Sequence, residues 1–348
     1  MTRGIAYALI SALLFGASTP FAKRLIGEIA PLALAGLLYV GAGVGLAVAV
    51  GLRRALHPST HVSLPRRADV PWFLATIVAG GVLGPVLLVY GLARLSATAT
   101  SLLLNLEAVL TALIAWFLFR ENVDRRVALG MALIVAGGIV LSVAPSLDVD
   151  RRGSMLVAGA CLCWAIDNNL TRKLAALDAM VVAGLKGAVA GPVIIGAALA
   201  FGVRLPDSGA LFAAVTVGAF SYGASLALFV AALRELGTAR TSAYFSVAPF
   251  FGAALSIAML REPVTSTLLL AGALMAVGVW LHLTERHMHH HVHEALAHTH
   301  PHRHDDLHHA HTHDFEWDGN EPHTHAHVHE PMTHSHPHFP DIHHRHPH

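Results

Sequence analysis

RLSATATSLLLNLEAVLTALIAWFLFRENV (94–123) and ELGTARTSAYFSVAPFFGAALSIAMLREPV (235–264) align without a gap at a constant offset. In this alignment Thr100-Ser101 meets Thr241-Ser242, and Arg120-Glu121 meets Arg261-Glu262. A bias toward Leu and Ala explains the apolar matches, but it does not easily explain two polar pairs at one offset. A weaker match places Lys23-Arg24-Leu25 over Arg172-Lys173-Leu174. We therefore predict two related halves, residues 1–145 and 153–284.

The composition of both halves is that of a membrane protein. The chain is 54% hydrophobic and only 13% charged, whereas soluble proteins carry about 25% charged residues. A helix needs about 20 mainly apolar residues to cross a bilayer. The segments that meet this rule lie near 4–22, 30–51, 71–91, 97–119, 127–145, 154–171, 179–201, 209–231, 240–260 and 266–283. We predict an all-α integral membrane protein with ten transmembrane helices.

Five spans in each half is an odd number, so two similar halves must insert in opposite orientations. Inverted repeats of this kind are the usual build of secondary transporters. More Lys and Arg residues fall on the cytoplasmic side if the N-terminus lies in the cytoplasm. This predicts a multi-pass protein of the plasma (inner) membrane with both termini cytoplasmic.

The repeated motifs resemble those of the drug/metabolite transporter superfamily, and within it the EamA-like family. The first spans share an aromatic start and a basic end in FGASTPFAKRL (15–25) and WAIDNNLTRKL (164–174). The fourth spans carry Glu107-Ala108 and Ala248-Pro249 before their Arg-Glu pairs. The resemblance implies transport of small organic solutes, often export, and no enzymatic activity. One departure is Leu38 in the second span of the first half, where the family often has a basic residue such as Lys186.

Three ionisable residues lie at membrane depth, where charges are costly and usually face a cavity or each other. Glu107, near the middle of its span, is the best candidate for a proton-coupling or cation-binding carboxylate, or it makes a structural hydrogen bond between helices. Asp167 is either a cavity charge or an interfacial one. Lys186 either pairs with Asp167 or a substrate anion, or extends to the interface. The complete set of predicted cavity residues is Glu107, Asp167, Asn168, Lys186, Trp164, Asn105, Tyr244 and Thr19.

The remaining segment, 286–348, contains 24 of the 27 histidines. Residues two apart in an extended chain point the same way, so His-x-His runs can present neighbouring imidazoles to one metal ion. Imidazole suits Zn, Ni, Co and Cu, while Asp305, Asp306, Asp314 and Glu330 add oxygen ligands. The predicted metal ligands are His289, His291, His293, His298, His300, His302, His304, His323, His325, His327 and His329. We predict a disordered cytoplasmic tail that binds divalent metal, and incidental binding by a solubilising tail is the alternative.

Several function classes are excluded by absent motifs. The sequence lacks the clusters of Lys and Arg that bind nucleic acid. It also lacks the H-E-x-x-H, P-loop and G-x-S-x-G motifs that would indicate an enzyme or a required cofactor. The leading prediction is a secondary transporter, an exporter of a small organic metabolite, whose tail responds to metal. The alternatives are a Zn, Ni or Co transporter and a membrane-anchored metal sensor or buffer. The predicted partners are a small-molecule substrate, the lipid bilayer, divalent metal ions at the tail and a second copy of the chain.

Overall fold

The structure is a computed structural model that divides the chain into two units, residues 1–284 and 285–348. It describes residues 2–56, 66–119, 125–143, 150–174, 177–283, 287–293, 296–302, 323–329 and 332–338. Residues 57–65, the pair Arg120-Glu121 and the four possible oxygen ligands Asp305, Asp306, Asp314 and Glu330 lie outside these ranges.

The described part of the first unit is helical. Its α-helices in chain order are α1 (Thr2–Leu25), α2 (Pro31–Leu56), α3 (Val70–Thr76), α4 (Gly84–Arg94), α5 (Ala97–Leu103), α6 (Leu106–Phe119), α7 (Arg125–Val143), α8 (Arg151–Thr171), α9 (Ala179–Ala200), α10 (Ser208–Gly218), α11 (Ser225–Leu236), α12 (Thr238–Phe245), α13 (Ala248–Leu260) and α14 (Ser266–Leu283). Short 3₁₀ turns lie at Arg67–Asp69 and Arg172–Leu174.

Eight helical stretches in the described ranges are long and apolar enough to cross a membrane, and Ser266–Leu281 is a shorter apolar helix. Large apolar side chains such as Leu52, Phe117 and Phe212 are exposed on the outside of the unit, as contact with lipid requires. The helix α8 is not among the eight stretches, and it carries Arg151, Arg152 and Asp167. The first unit therefore has the character of a multi-pass membrane protein, and the number ten stays a prediction.

Four predicted spans are interrupted rather than continuous. A π-helical segment, Ile77–Leu83, joins α3 to α4, and another, Ala219–Ala224, joins α10 to α11. The spans predicted at 97–119 and 240–260 each break after one or two turns, between α5 and α6 and between α12 and α13. At these breaks the Asn105 amide donates to the Leu102 carbonyl (2.8 Å) and the Ser246 hydroxyl donates to the Ala243 carbonyl (2.8 Å).

Corresponding helices of the two halves pack against each other in antiparallel pairs. Along α2, Gly36 faces Ile195 of α9, Gly43 faces Gly187, and Leu46 faces Gly184. Residue numbers therefore decrease along α9 as they increase along α2, so the two helices are antiparallel. The absence of side chains at Gly43 and Gly187 lets the two backbones approach closely. The helices α7 and α14 also run antiparallel, with Gly137 against Ala271 and Gly278 against Gly130.

The other packing pairs also come in twos. The helix α8 packs on α4 and α6, which belong to the third and fourth spans of the first half. The helix α1 packs on α11 and α13, which belong to the third and fourth spans of the second half. Because α1 and α8 begin the two halves, each half's first helix packs against the third and fourth spans of the other half.

The second unit differs from the disordered tail that the sequence predicted. Its described residues form four strands, β1 (His287–His293), β2 (Leu296–His302), β3 (His323–His329) and β4 (Met332–His338). The strand β1 pairs with β4 and β2 pairs with β3, both antiparallel. The two-residue period of His-x-His matches the two-residue period of a strand, which is the physical reason for the difference.

Candidate functional site

The first helix of the second half, α8, carries a group of polar and aromatic side chains near its C-terminal end. Trp164, Asp167, Asn168 and Thr171 lie within its last two turns. Because these positions are three or four residues apart, they share one broad side of the helix. That side faces α4, α6 and the π-helical segment Ile77–Leu83 of the first half.

Asp167 and Lys186 form a buried ion pair between α8 and α9. The Lys186 ammonium donates to both carboxylate oxygens of Asp167, at 2.6 and 2.7 Å, and the two side chains are only 14% and 9% exposed. The Thr171 hydroxyl donates to the same carboxylate (3.2 Å). Desolvating two charges is costly unless both are paired and hydrogen-bonded, as they are here.

The ion pair fits because residue 80 has no side chain. A Cβ atom on Gly80 would overlap the Asp167 carboxylate. The π-helical turn at Gly80 also leaves its carbonyl oxygen available to side chains, and both the Tyr39 hydroxyl (2.7 Å) and the Trp164 indole N–H (3.0 Å) donate to it. π-helical turns occur often at functional sites because they free backbone groups in this way.

Glu107 lies in the first turn of α6, and its carboxylate accepts a hydrogen bond from the Asn168 amide (2.9 Å). Thr111, one turn further along α6, is 3.4 Å from the same amide nitrogen, and its carbonyl accepts from Asn169 (3.2 Å). A polar seam therefore joins α6 to α8 beside the ion pair.

Aromatic rings from both halves form the other wall of the site. Tyr222, in the second π-helical segment, lies 6.1 Å from Tyr39 and 5.8 Å from Phe15 between ring centroids. Phe15 also contacts Phe245 (5.4 Å), which contacts Phe229 (5.0 Å). We call Glu107, Asp167, Asn168, Lys186, Trp164, Tyr39 and Tyr222, with the backbone of Gly80, the central cluster.

One end of the bundle is closed by a second polar network. The Lys23 ammonium, at the end of α1, donates to the carbonyls of Leu92 and Leu95 (2.7 Å each). The Glu262 carboxylate accepts from the backbone N–H groups of Ala97 (2.7 Å) and Thr98 (2.8 Å), which begin α5. Carboxylates stabilise helix N-termini by satisfying free N–H groups and interacting with the helix dipole.

The corresponding segments of the two halves differ in exposure. Residues 97–105 of the first half are all buried, whereas Arg240 and Ser242 of α12 are exposed and residues 243–247 are half-buried. Ser101, the partner of Ser242 in the repeat, is completely buried.

The structure brings together five of the eight predicted cavity residues, namely Glu107, Asp167, Asn168, Lys186 and Trp164. It places Asn105 elsewhere, since its amide donates to Leu102 and approaches the Met275 sulfur (3.9 Å), so the prediction that Asn105 lines a cavity is not supported by its contacts. Thr19 is buried in α1 and Tyr244 is half-buried in α12, and within the described ranges neither makes a hydrogen bond to the central cluster.

Tyr39 and Gly80 were not predicted from the sequence. A tyrosine in an apolar span is common, and Gly80-Gly81 is one of many glycine-containing stretches. Gly80 is identified as a site position by its place in a π-helical segment and by the two side chains that donate to its carbonyl.

The predicted metal ligands occupy register positions in the strands, apart from His304, which lies outside the described residues. Opposite β3, His298 pairs with His327, His300 with His325 and His302 with His323, while His289, His291 and His293 lie in β1 and His329 faces Leu296. Within the described residues of the helical unit, no three His, Cys, Asp or Glu side chains converge as a metal site requires.

Comparison with known proteins shows what the chain is similar to. The model of the EamA-like transporter family matches residues 2–143 and again residues 151–284. An uncharacterized transporter of Methanothermobacter thermautotrophicus is 28% identical over 291 residues, which is 78% of this chain and 84% of the relative. A solved crystal structure has a similar fold, with a TM-score of 0.57 and 20% identity over 80% of this chain and 96% of the other.

Proposed function

The chain belongs to the EamA-like transporter family, and we propose that it is a secondary transporter that moves a small organic metabolite by alternating access between two inverted halves. As a member of this family it is a membrane transporter of small molecules and not an enzyme. The observation that carries the finer proposal is the central cluster, a polar and aromatic site at membrane depth with side chains from both halves.

The packing of the helices supports the inverted repeat. The helix α2 runs antiparallel to α9, and α7 runs antiparallel to α14. If the two halves had the same orientation, an axis along the membrane normal would relate them, and corresponding helices would run parallel. The paired interruptions of the third and fourth spans further support ten spans in two sets of five.

The difference between the two ends of the bundle supports alternating access. Lys23 and Glu262 close the end at which α1 finishes and α5 begins. In α12, the repeat partner of that segment, Arg240 and Ser242 are exposed, although Thr241 between them is buried. In the orientation that we propose, with both termini in the cytoplasm, the closed end faces outward, and the difference between the ends supports an inward-facing state. Rocking of one half against the other would exchange the two ends.

The direction we propose is export across the plasma (inner) membrane. We also propose that the histidine-rich tail binds Zn, Ni, Co or Cu and regulates transport at the cytoplasmic face. The alternation of histidines along β1, β2 and β3 supports this role, since it aligns metal-binding residue types at successive register positions.

Solute counterflow in proteoliposomes tests the proposal. The full-length chain and a version truncated after Arg286 would be compared with and without Zn²⁺ or Ni²⁺. We expect both proteins to exchange an organic solute, and metal to change the rate only for the full-length chain. Identical rates under all conditions would contradict the proposed regulation by the tail. Movement of metal through the truncated protein would contradict the proposal that the cargo is an organic solute.

A further inference from the structure

Of the two carboxyl groups in the central cluster, only Asp167 has a cationic partner among the described side chains. Asp167 and Lys186 neutralise each other in a direct ion pair. Glu107 is bound only by the neutral amide of Asn168, and among the described side chains no Lys or Arg contacts its carboxylate. The cluster therefore contains one carboxyl group to which the described residues bring no cationic partner.

The group that binds Glu107 is open to the interior of the bundle. The exposed apolar residues Met155, Leu162 and Ile166 form one stripe on α8, at spacings of seven and four residues. Asn168 is also exposed. Because each residue of an α-helix turns by about 100°, Asn168, two residues after Ile166, points about 200° away from that stripe. Its exposure is therefore directed away from lipid, toward the space between the halves.

Aromatic faces border the same space. Trp164 precedes Asn168 by one turn on the same side of α8, and its ring is fixed by the hydrogen bond to the Gly80 carbonyl. Tyr39 also donates to that carbonyl, and its ring contacts that of Tyr222. A carboxylate next to aromatic faces suits a cation with an apolar body, because a ring face attracts a desolvated cation.

We propose that the cargo of this transporter is a monovalent organic cation, a substituted ammonium whose charge is bound by Glu107 and whose apolar body lies against Trp164 and Tyr39. The inference rests on the proposed transport function and names its substrate class. A bound cation would give the Glu107 carboxylate the cationic partner that the described side chains do not supply, whereas an organic anion would be repelled by that carboxylate.

The test is counterflow in proteoliposomes with two labelled probes of similar size, benzyltrimethylammonium and phenylacetate. A quaternary ammonium cannot lose its charge, so its entry reports passage through the protein. We expect saturable exchange of benzyltrimethylammonium by the wild-type protein, and a rate lower by about tenfold or more in Glu107→Gln, the effect of losing one charged partner.

Two further variants keep the test decisive. Glu107→Asp retains the charge and is expected to keep part of the activity, which excludes a folding defect as the cause of the loss. Glu28→Gln removes a carboxylate from an exposed turn and is expected to behave like the wild type. Exchange of benzyltrimethylammonium that is unaffected by Glu107→Gln would overturn the inference.

The failure of this inference can be separated from the failure of the transport function. Saturable exchange of phenylacetate without exchange of benzyltrimethylammonium would overturn the substrate class and leave the transporter intact. If neither probe nor any member of a panel of metabolites is exchanged, the transport function itself fails.

Discussion

At the scale of single residues, the ion pair of Asp167 with Lys186 is the feature on which the site depends. The two charges lie 2.6 Å apart and are largely removed from water. Losing one partner leaves the other buried and unpaired, which costs about 3 kcal/mol or more, while losing both costs much less. The pair therefore behaves as one unit, and its members should be studied together.

We predict that Asp167→Asn and Lys186→Met each lower the thermal stability of the detergent-purified protein strongly. The double variant Asp167→Asn/Lys186→Met is expected to unfold closer to the wild-type temperature than either single variant, because it leaves no unpaired charge. Thermal unfolding of the four proteins gives the coupling energy directly. Additive effects of the two changes would contradict the structural pairing.

A second residue-scale prediction concerns Gly80. An added methyl group would overlap the Asp167 carboxylate, so Gly80→Ala should destabilise the protein by about 1 to 3 kcal/mol and abolish solute exchange. The matched control is Gly196→Ala in α9, where a Cβ atom would meet no other atom within 4 Å. Unfolding temperature and counterflow rate measure both variants, and equal behaviour of the two would show that Gly80 is not a close contact.

The charged members of the site could be predicted from the sequence, but the neutral ones could not. Glu107, Asp167 and Lys186 are conspicuous because charges are rare at membrane depth. Tyr39 and Gly80 act through a backbone carbonyl that becomes available only when a helix turn widens. Asn105 appears similar in sequence to Asn168, yet it satisfies the backbone where α5 ends, a role that depends on the break itself.

At the scale of elements, the sequence predicts where the helical spans lie but not where they are interrupted. The sequence predicts the spans to within a few residues because apolar length is a strong signal. It does not predict the two π-helical segments or the breaks before Leu106 and Ala248, because those depend on packing between the halves. The composition of the tail predicts disorder, although the two-residue alternation of His also fits strands.

The junction between α2 and α9 gives a prediction about pH. Asp178 precedes α9, accepts from the N–H groups of Met180 and Val181, and pairs with Arg53 at 2.6 Å. Burial alone would raise the pKa of Asp178, but the hydrogen bond and charge of Arg53 hold the pKa below its ordinary value. A carboxyl whose pKa is lower in the folded state stabilises the protein above its unfolded pKa, and this contribution is lost as the pH falls through the folded pKa.

Asp178→Asn keeps a helix-capping side chain and removes the charge. We expect the wild type to be more stable than this variant by a constant margin between pH 7 and 5, and the margin to shrink below about pH 4. Unfolding temperatures across this pH range measure the margin. A margin that grows as the pH falls would contradict the sign derived from the contacts.

At the scale of the whole molecule, the two halves have related sequences but different surroundings. Glu262 of the second half caps α5 of the first half and closes one end of the bundle. We expect Glu262→Gln to weaken this closure, because an uncharged amide is a poorer acceptor for two N–H groups and interacts less with the helix dipole. This end, which faces outward in the proposed orientation, should then open more often, and thiol labelling of that end can detect the opening.

The most direct test of alternating access between the halves labels the repeat partners Ser101 and Ser242. Each is replaced in turn, as Ser101→Cys and Ser242→Cys, in a background that also carries Cys161→Ala and Cys163→Ala. A membrane-impermeant thiol reagent is then applied to each side of oriented vesicles. We predict that the cysteine at 242 reacts from the cytoplasmic side and the one at 101 does not react. With Glu262→Gln, the cysteine at 101 should become reactive from the outside while that at 242 becomes protected. Reaction of both positions from the same side, or no change on weakening the closed end, would contradict an inverted pair of halves that open in turn.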